Sequence, residues 1–169
     1  MISTQILRRY PFFADFSHDQ LAAIAKTGEE ISTENGYYFF HEGDKIHNIY
    51  LVLEGEIAIF IEVPDHTVEQ TLTMQLTRNL ITEDITVSTL GPGKVFGWSG
   101  IIPPHETTAG AKSIKPSLVV KFDCEELDAF FEKDSRFAYL LALNAAKIIR
   151  ERLRDRHIES LAENILQTA

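Results

Sequence analysis

The spacing of apolar residues changes character twice along the chain. Up to Gly28 it is helical: ILRRY and SHDQLAAIAKTG predict two short helices on either side of the aromatic break PFF. Ser17 suits the N-cap of the second, with Gln20 placed to reach back to it, and Gly28 suits the stop. Leu21, Ile24 and Ala25 then share one face of that helix.

After Gly28 the period shortens. EEISTE, YYFFHEGD and IYLVLEGEIAIFIEV read as short strands, separated by the turn signals Asn35-Gly36, Gly43-Asp44 and Glu54-Gly55. Ile49, Leu51 and Leu53 against Tyr50 and Val52 put apolar residues on both faces, whereas Ile57, Ile59 and Ile61 come closer to alternation. Pro64 to Thr86 is polar and threonine-rich, and the alternation of Val68, Gln70, Leu72, Met74 and Leu76 permits an extended hairpin protruding from the sheet. VSTL, GPGKVFG, AGAKSI and LVVKF continue the strands, which predicts a mainly β fold, an antiparallel sandwich or roll with flanking helices.

From Glu125 the helical period returns, first in EELDAFFEK and then from about Ser135 to Leu166, about 45 Å if unbroken. Phe137, Leu140, Leu141, Ala145, Ile148, Ile149 and Leu153 form a broad apolar stripe. RDRH interrupts it before Ile158, Leu161, Ala162 and Ile165 resume. The first part is expected to cover the sheet and the second to need a partner, most simply its own copy in a two-fold homodimer. Asn144, Glu151 and Asp155 fall on seam positions, so this is no clean heptad repeat. The expected division is residues 1–134 as body and 135–169 as a closing helix, a lid and dimerisation element.

Composition narrows the class. At 169 residues the chain can bury a core without disulfide or metal support. A single cysteine, Cys124, and an N-terminus without the apolar core of a secretory signal predict a cytoplasmic protein. Cys124 is expected to be buried and inert at the strand-to-helix junction KFDCEEL. No apolar run reaches the length of a membrane span. The net charge of −9 argues against a nucleic-acid binder, because DNA binding draws on clustered Lys and Arg. KIIRERLRDR, Lys147 to Arg156, runs the other way; a solvated helix face is the simpler reading, a partner or nucleic-acid surface the other.

The stretch VFGWSGIIPPHETTAGAKS looks built for an anion, yet no arginine occurs between Arg78 and Arg136. LRRYPFFADFSHDQLAAIA, FFHEGDKIHNIYLVLEGEIAIF and LGPGKVFG follow in an order that resembles the cyclic nucleotide-binding domain over roughly Ile6 to Arg152. This is the sensor module of the catabolite activator family and of the regulatory subunits of cyclic-nucleotide-dependent kinases. The resemblance implies a β-roll of jelly-roll (double-stranded β-helix) type closed by a long C-terminal helix.

It also implies a ligand cassette of the pattern FGExAL, spacer, RSA or RTA. There amides meet the cyclic phosphate, arginine pairs with its charge and glutamate takes the ribose hydroxyl. Laid on this chain, the cassette runs over Phe96, Gly97, Trp98, Ser99 and Gly100 to Thr107, Thr108 and Ala109. Trp98 replaces the glutamate and Thr107 the arginine; a shorter spacer puts His105 at the arginine position instead. Lys94 and Lys112 are the nearby cations, and Lys112 is expected to point outward. Losing the arginine forfeits about 1.5 to 3 kcal/mol, which makes cyclic AMP a doubtful ligand. Trp98 reads either as core packing or as a stacking platform, and Pro103-Pro104 as a rigid spacer turn.

Rival chemistries fit less well. His41, Glu42, Asp44 and His47 crowd one loop, but without the HxH pair of cupin metal sites they read as turn residues, so no metal site is expected. No catalytic nucleophile-base set stands out, and the chain ends at Ala169 without the helix-turn-helix of the transcription factors, so no direct DNA binding is expected. The leading expectation is a non-enzymatic, stand-alone bacterial-type sensor module. It would bind a small anionic or nucleotide-like ligand without further cofactor, and signal through its C-terminal helix to an unidentified protein partner. The alternative is a ligand-free interaction and dimerisation module with a vestigial pocket.

Overall fold

The computed structural model describes residues 2–65, 67, 68, 71, 74 and 81–167, with side chains as far as residue 154. Helix α1 (Thr4–Leu7), shorter than ILRRY suggests, leads through a 3-10 turn at Pro11–Phe13 into α2 (His18–Thr27). The expected capping box is complete. Ser17 Oγ accepts from the Gln20 amide and Gln20 Oε1 from the Ser17 amide, so two donors that a helix start leaves without partners are satisfied.

Eight strands follow: β1 (Gly28–Thr33), β2 (Tyr38–Phe40), β3 (Asn48–Glu54), β4 (Ile57–Pro64), β5 (Thr82–Leu90), β6 (Val95–Phe96), β7 (Gly110–Ser113) and β8 (Ser117–Asp123). They form two four-stranded antiparallel sheets, β1-β8-β3-β6 and β2-β7-β4-β5. Helix α3 (Cys124–Phe131) and the continuous α4 (Ser135–Gln167) close the fold.

The first sheet lies between two cores, which explains why β3 is apolar on both faces. Ile49 and Leu51 join Val120 and Phe122 against Phe13, Leu21 and Phe137 on the helical side. Tyr50, Val52 and Phe96 face Ile57 and Ala111 of the second sheet. Each large side chain buried here contributes about 1.5 to 3 kcal/mol of hydrophobic stabilisation. On β4, Phe60 falls on the opposite face from Ile57, yet it is fully buried. It lies over Gly110, and Tyr38, His41 and the Lys112 ammonium cover its ring. The arms of the β4–β5 hairpin pair as far as Pro64 with Thr82, while Gln70, Leu72 and Leu76 lie outside the described residues.

Helix α4 departs from its predicted stripe. Phe137, Leu141 and Ala145 are buried and Leu140 and Ile148 pack beside them, but Ile149 and Leu153 are exposed by 40% and 56%. Asn144, assigned to a partner seam, is buried instead, and its Nδ2 donates to the Phe12 carbonyl at 2.8 Å. The charged break at RDRH does not interrupt the helix. Residues 158, 161, 162 and 165 continue it with side chains outside the described set.

Two substitutions test this account by urea denaturation. Gly110→Ala puts a methyl group into the Phe60 ring and should cost about 1 to 3 kcal/mol. Ser17→Ala should cost about 1 kcal/mol through the lost cap.

Candidate functional site

The cassette is held by its ends. β6 pairs with β3 through Tyr50 with Phe96 and Leu51 with Val95, and the Phe96 ring stacks on Tyr50 at 4.9 Å. Burial pushes the Tyr50 hydroxyl up to about 12, so the tyrosine stays neutral. At Gly97 the chain turns with φ 83, and a Cβ there would stand 2.9 Å from the Tyr50 ring and 3.0 Å from the Asn48 carbonyl oxygen. Only glycine meets both demands. A 3-10 turn over Trp98–Gly100 follows, and Gly100 sits directly on the Asn48 backbone.

The returning arm is tied to the loop before β3. The Thr107 amide donates to the Asp44 carbonyl at 2.9 Å, and its hydroxyl donates to the His41 carbonyl at 2.6 Å. Of the nine residues expected in the site, Phe96, Gly97, Trp98, Ser99, Thr107, Thr108 and Ala109 line one cavity of about 140 Å³. Gly100 and His105 do not line it. The Gly100 amide closes the turn onto the Gly97 carbonyl. His105, at φ 64, points Nδ1 at the Ser99 and Gly100 carbonyls, 3.1 and 3.2 Å away. Carbonyls only accept, so Nδ1 carries a proton there and the ring braces the turn. Thr107 lines the cavity, but its hydroxyl is occupied by the His41 contact.

The sequence reading missed Phe40, Ile59 and Arg152, which complete the cavity wall. Phe40 and Ile59 come from the second sheet. Arg152 comes from α4, and its Nη2 donates to the Val95 carbonyl at the entrance to the cassette. It lies seven residues after Ala145 and four after Ile148, on the inward face of the helix, so the helical period carried the signal. The Lys147–Arg156 run is therefore not one solvated face: Arg150 and Arg154 are exposed, whereas Arg152 turns in. Burial lowers the Arg152 pKa from its ordinary value. Among the described residues no carboxylate lies within ion-pair distance of it.

The other cations are placed elsewhere. Lys112 pairs with Asp84 at 2.6 Å outside the cavity, and Lys94 lines a cleft of about 510 Å³ between α4 and β5, on whose wall Arg152 and Glu151 also stand, so that Arg152 lies between the two spaces. Trp98 packs one side on Phe12, ring centroids 5.7 Å apart, while lining the cavity. Its Nε1 is buried with no hydrogen-bond partner among the described residues. The loop histidines serve locally: His41 bonds Glu62 at 2.8 Å and stacks on Tyr38, and His47 faces Glu125. Among the described residues no group of three or more His, Cys, Asp or Glu side chains is arranged to hold a metal.

A β-roll of two four-stranded sheets, a glycine-turned loop leaving β6 and a long helix bonded to that strand through Arg152 define a class of regulatory module. The cyclic nucleotide-binding domain model matches residues 30–134, and the chain belongs to that family. It is 25% identical over 123 residues to the CRP-like cAMP-activated global transcriptional regulator of Mycobacterium tuberculosis, covering 73% of this chain and 48% of that protein. The chain thus spans about half the length of the curated relatives it matches. Among solved structures, a candidate cyclic nucleotide-binding protein of Geobacter metallireducens GS-15 superposes with a TM-score of 0.72 at 31% identity. That match covers 90% of this chain and 99% of the other. A cyclic nucleotide-binding domain of Methylobacillus flagellatus KT also reaches a TM-score of 0.72, at 15% identity and over 95% and 81% of the two chains, a likeness of fold. No helix among the described residues is long and apolar enough to cross a membrane.

Burial pushes the Cys124 thiol up to about 12, so it stays protonated at neutral pH. Ellman's reagent at pH 8 should leave the folded protein untouched and react with one thiol per chain once denaturant is added.

Proposed function

We propose that this chain is a non-enzymatic regulatory module that binds a small anionic or nucleotide-like ligand in the cassette cavity and passes the bound state to a partner through α4. Residues 1–134 act as the sensor body, and residues 135–169 as lid and dimerisation element. One observation carries the reading: α4 forms part of the cavity wall, since Arg152 lines it together with Gly97, Ser99 and Thr108. Whatever occupies the cavity therefore meets the helix, and a ligand that prefers one helix position shifts its population.

Cyclic AMP fits this cavity poorly. The cassette carries neither the glutamate nor the arginine of the family pattern. At about 140 Å³ the space is also well below the roughly 300 Å³ at which drug-sized ligand pockets begin. A ligand-free interaction module is the second reading, favoured by Trp98 packed on Phe12 and Arg152 bonded to Val95 beside so small a space.

Thermal-shift and calorimetric titration with cyclic AMP, cyclic GMP, nucleoside phosphates and small carboxylates separates the two readings. The ligand reading expects at least one compound to raise Tm, with the stabilisation growing as the logarithm of ligand concentration over Kd and cyclic AMP among the weakest; a panel without effect supports the interaction module. For the dimer, light scattering should give twice the chain mass. Replacing Ile149 and Leu153, one turn apart on the exposed face of α4, by aspartate should return the monomer.

A further inference from the structure

We infer that Arg152 takes the place of the arginine missing from the cassette, holding the anionic group of the ligand, a phosphate or a carboxylate, against the turn at Gly97–Ser99. The inference rests on the reading that the cavity binds a ligand, and adds which residue reads its charge.

Geometry comes first. Arg152 lines the same cavity as Gly97, Trp98, Ser99 and Thr108, although it lies more than fifty residues away in the chain. A guanidinium has five N–H donors. One of them meets the Val95 carbonyl, and among the described residues no other acceptor is bonded to Arg152. A partly buried cation without a counter-ion is costly, and proteins ordinarily pair such groups. Its partial burial is also what strengthens any anion it meets, because the local dielectric is low.

The remaining polar groups of the cavity leave the charge to Arg152. The Trp98 indole nitrogen is buried in the packing and does not open to the cavity, so it takes no part in reading the ligand. Among the described residues the amides of Ser99 and Thr108 meet no acceptor. The Ser99 and Thr107 hydroxyls already donate to the Glu106 and His41 carbonyls. Among the described residues the Thr108 hydroxyl and carbonyl are unmatched too, so the group that sets the sign of the ligand is the guanidinium, a full positive charge that favours an anion over a cationic ligand. The space admits a small oxyanion, or the anionic end of a larger molecule whose remainder stays outside. Because the cation rides on α4 rather than on the cassette, charge recognition and helix position are one event.

Trp98 is the only tryptophan of the chain and lines the cavity, so its fluorescence reports binding directly. The full chain and the variants Arg152→Gln and Arg152→Lys are titrated with inorganic phosphate, butyrate, cyclic AMP and neutral adenosine, with calorimetry for Kd. At least one anion should bind the native chain, and phosphate against butyrate tells which anionic group is preferred. Arg152→Gln should weaken that anion about tenfold to a hundredfold, Arg152→Lys less, because lysine keeps the charge but loses the planar fork. Unchanged affinity in Arg152→Gln overturns the inference and leaves the ligand reading standing, as does binding of adenosine with no anion bound. Binding of none of the four by the native chain overturns both. If circular dichroism shows Arg152→Gln unfolded, the test moves to the Arg152 Nε–H resonance of the native protein. A shift on adding the bound anion supports the inference, and an unmoved signal overturns it.

Discussion

One buried carboxamide governs how α4 lies on the roll. Asn144 donates to the Phe12 carbonyl and accepts from Lys147, and its burial means that losing either bond would leave a polar group stranded. A hydrophobic stripe alone allows a helix to roll or slide by small amounts, but a bond to one backbone carbonyl does not. With the rotation fixed, Phe137, Leu141 and Ala145 face the core, and Arg152, two turns beyond Ala145, arrives over β6. The 3-10 turn that presents the Phe12 carbonyl also presents the Phe12 ring to Trp98, so N-terminal segment, cassette and closing helix share one anchor.

The cavity belongs to the boundary between the two cores. Phe96 sits in the inter-sheet core, while Trp98, two residues on, packs against the helical one. Gly97 is the crossing point: residues two apart on a strand face the same side, and its left-handed backbone is what sends Phe96 and Trp98 to opposite sides. Phe40 and Ile59 close the wall from the second sheet, so the cavity touches both sheets and α4 at once. The Arg152 bond to the Val95 carbonyl extends this arrangement, since Val95 is a strand residue of the first sheet.

Most of the scaffold was legible because local chemistry and burial agree. The Ser17–Gln20 capping box, the turns at Gly36, Gly43 and Gly55, and the two-sided apolar pattern of β3 are each dictated by neighbours in sequence or by a sheet buried on both faces. The cassette was legible as a segment, and seven of its nine expected residues do meet at one cavity. What escaped depends on partners distant in the chain. Phe60 falls on the strand face opposite Ile57, and its burial comes from the bare Gly110 beside it and from Tyr38, His41 and Lys112 over its ring. Arg152 was hidden in a basic run whose charges suggest solvent, though its spacing from Ala145 and Ile148 was in plain view. Ile149 and Leu153 show the converse, apolar side chains counted into a stripe that the Asn144 anchor rotates out of the core.

Helix α4 is pinned at two points, Asn144 to the Phe12 carbonyl and Arg152 to the Val95 carbonyl, and then continues to Gln167. At 1.5 Å per residue the pins are about 12 Å apart, and the far end lies about 34 Å from the first. A stiff rod held this way is a lever with its fulcrum at Asn144. On the proposed reading, a sideways displacement of about 1 Å at Arg152 would arrive at Gln167 as about 3 Å. The roll itself need not deform for that amplification; it has only to hold the fulcrum still.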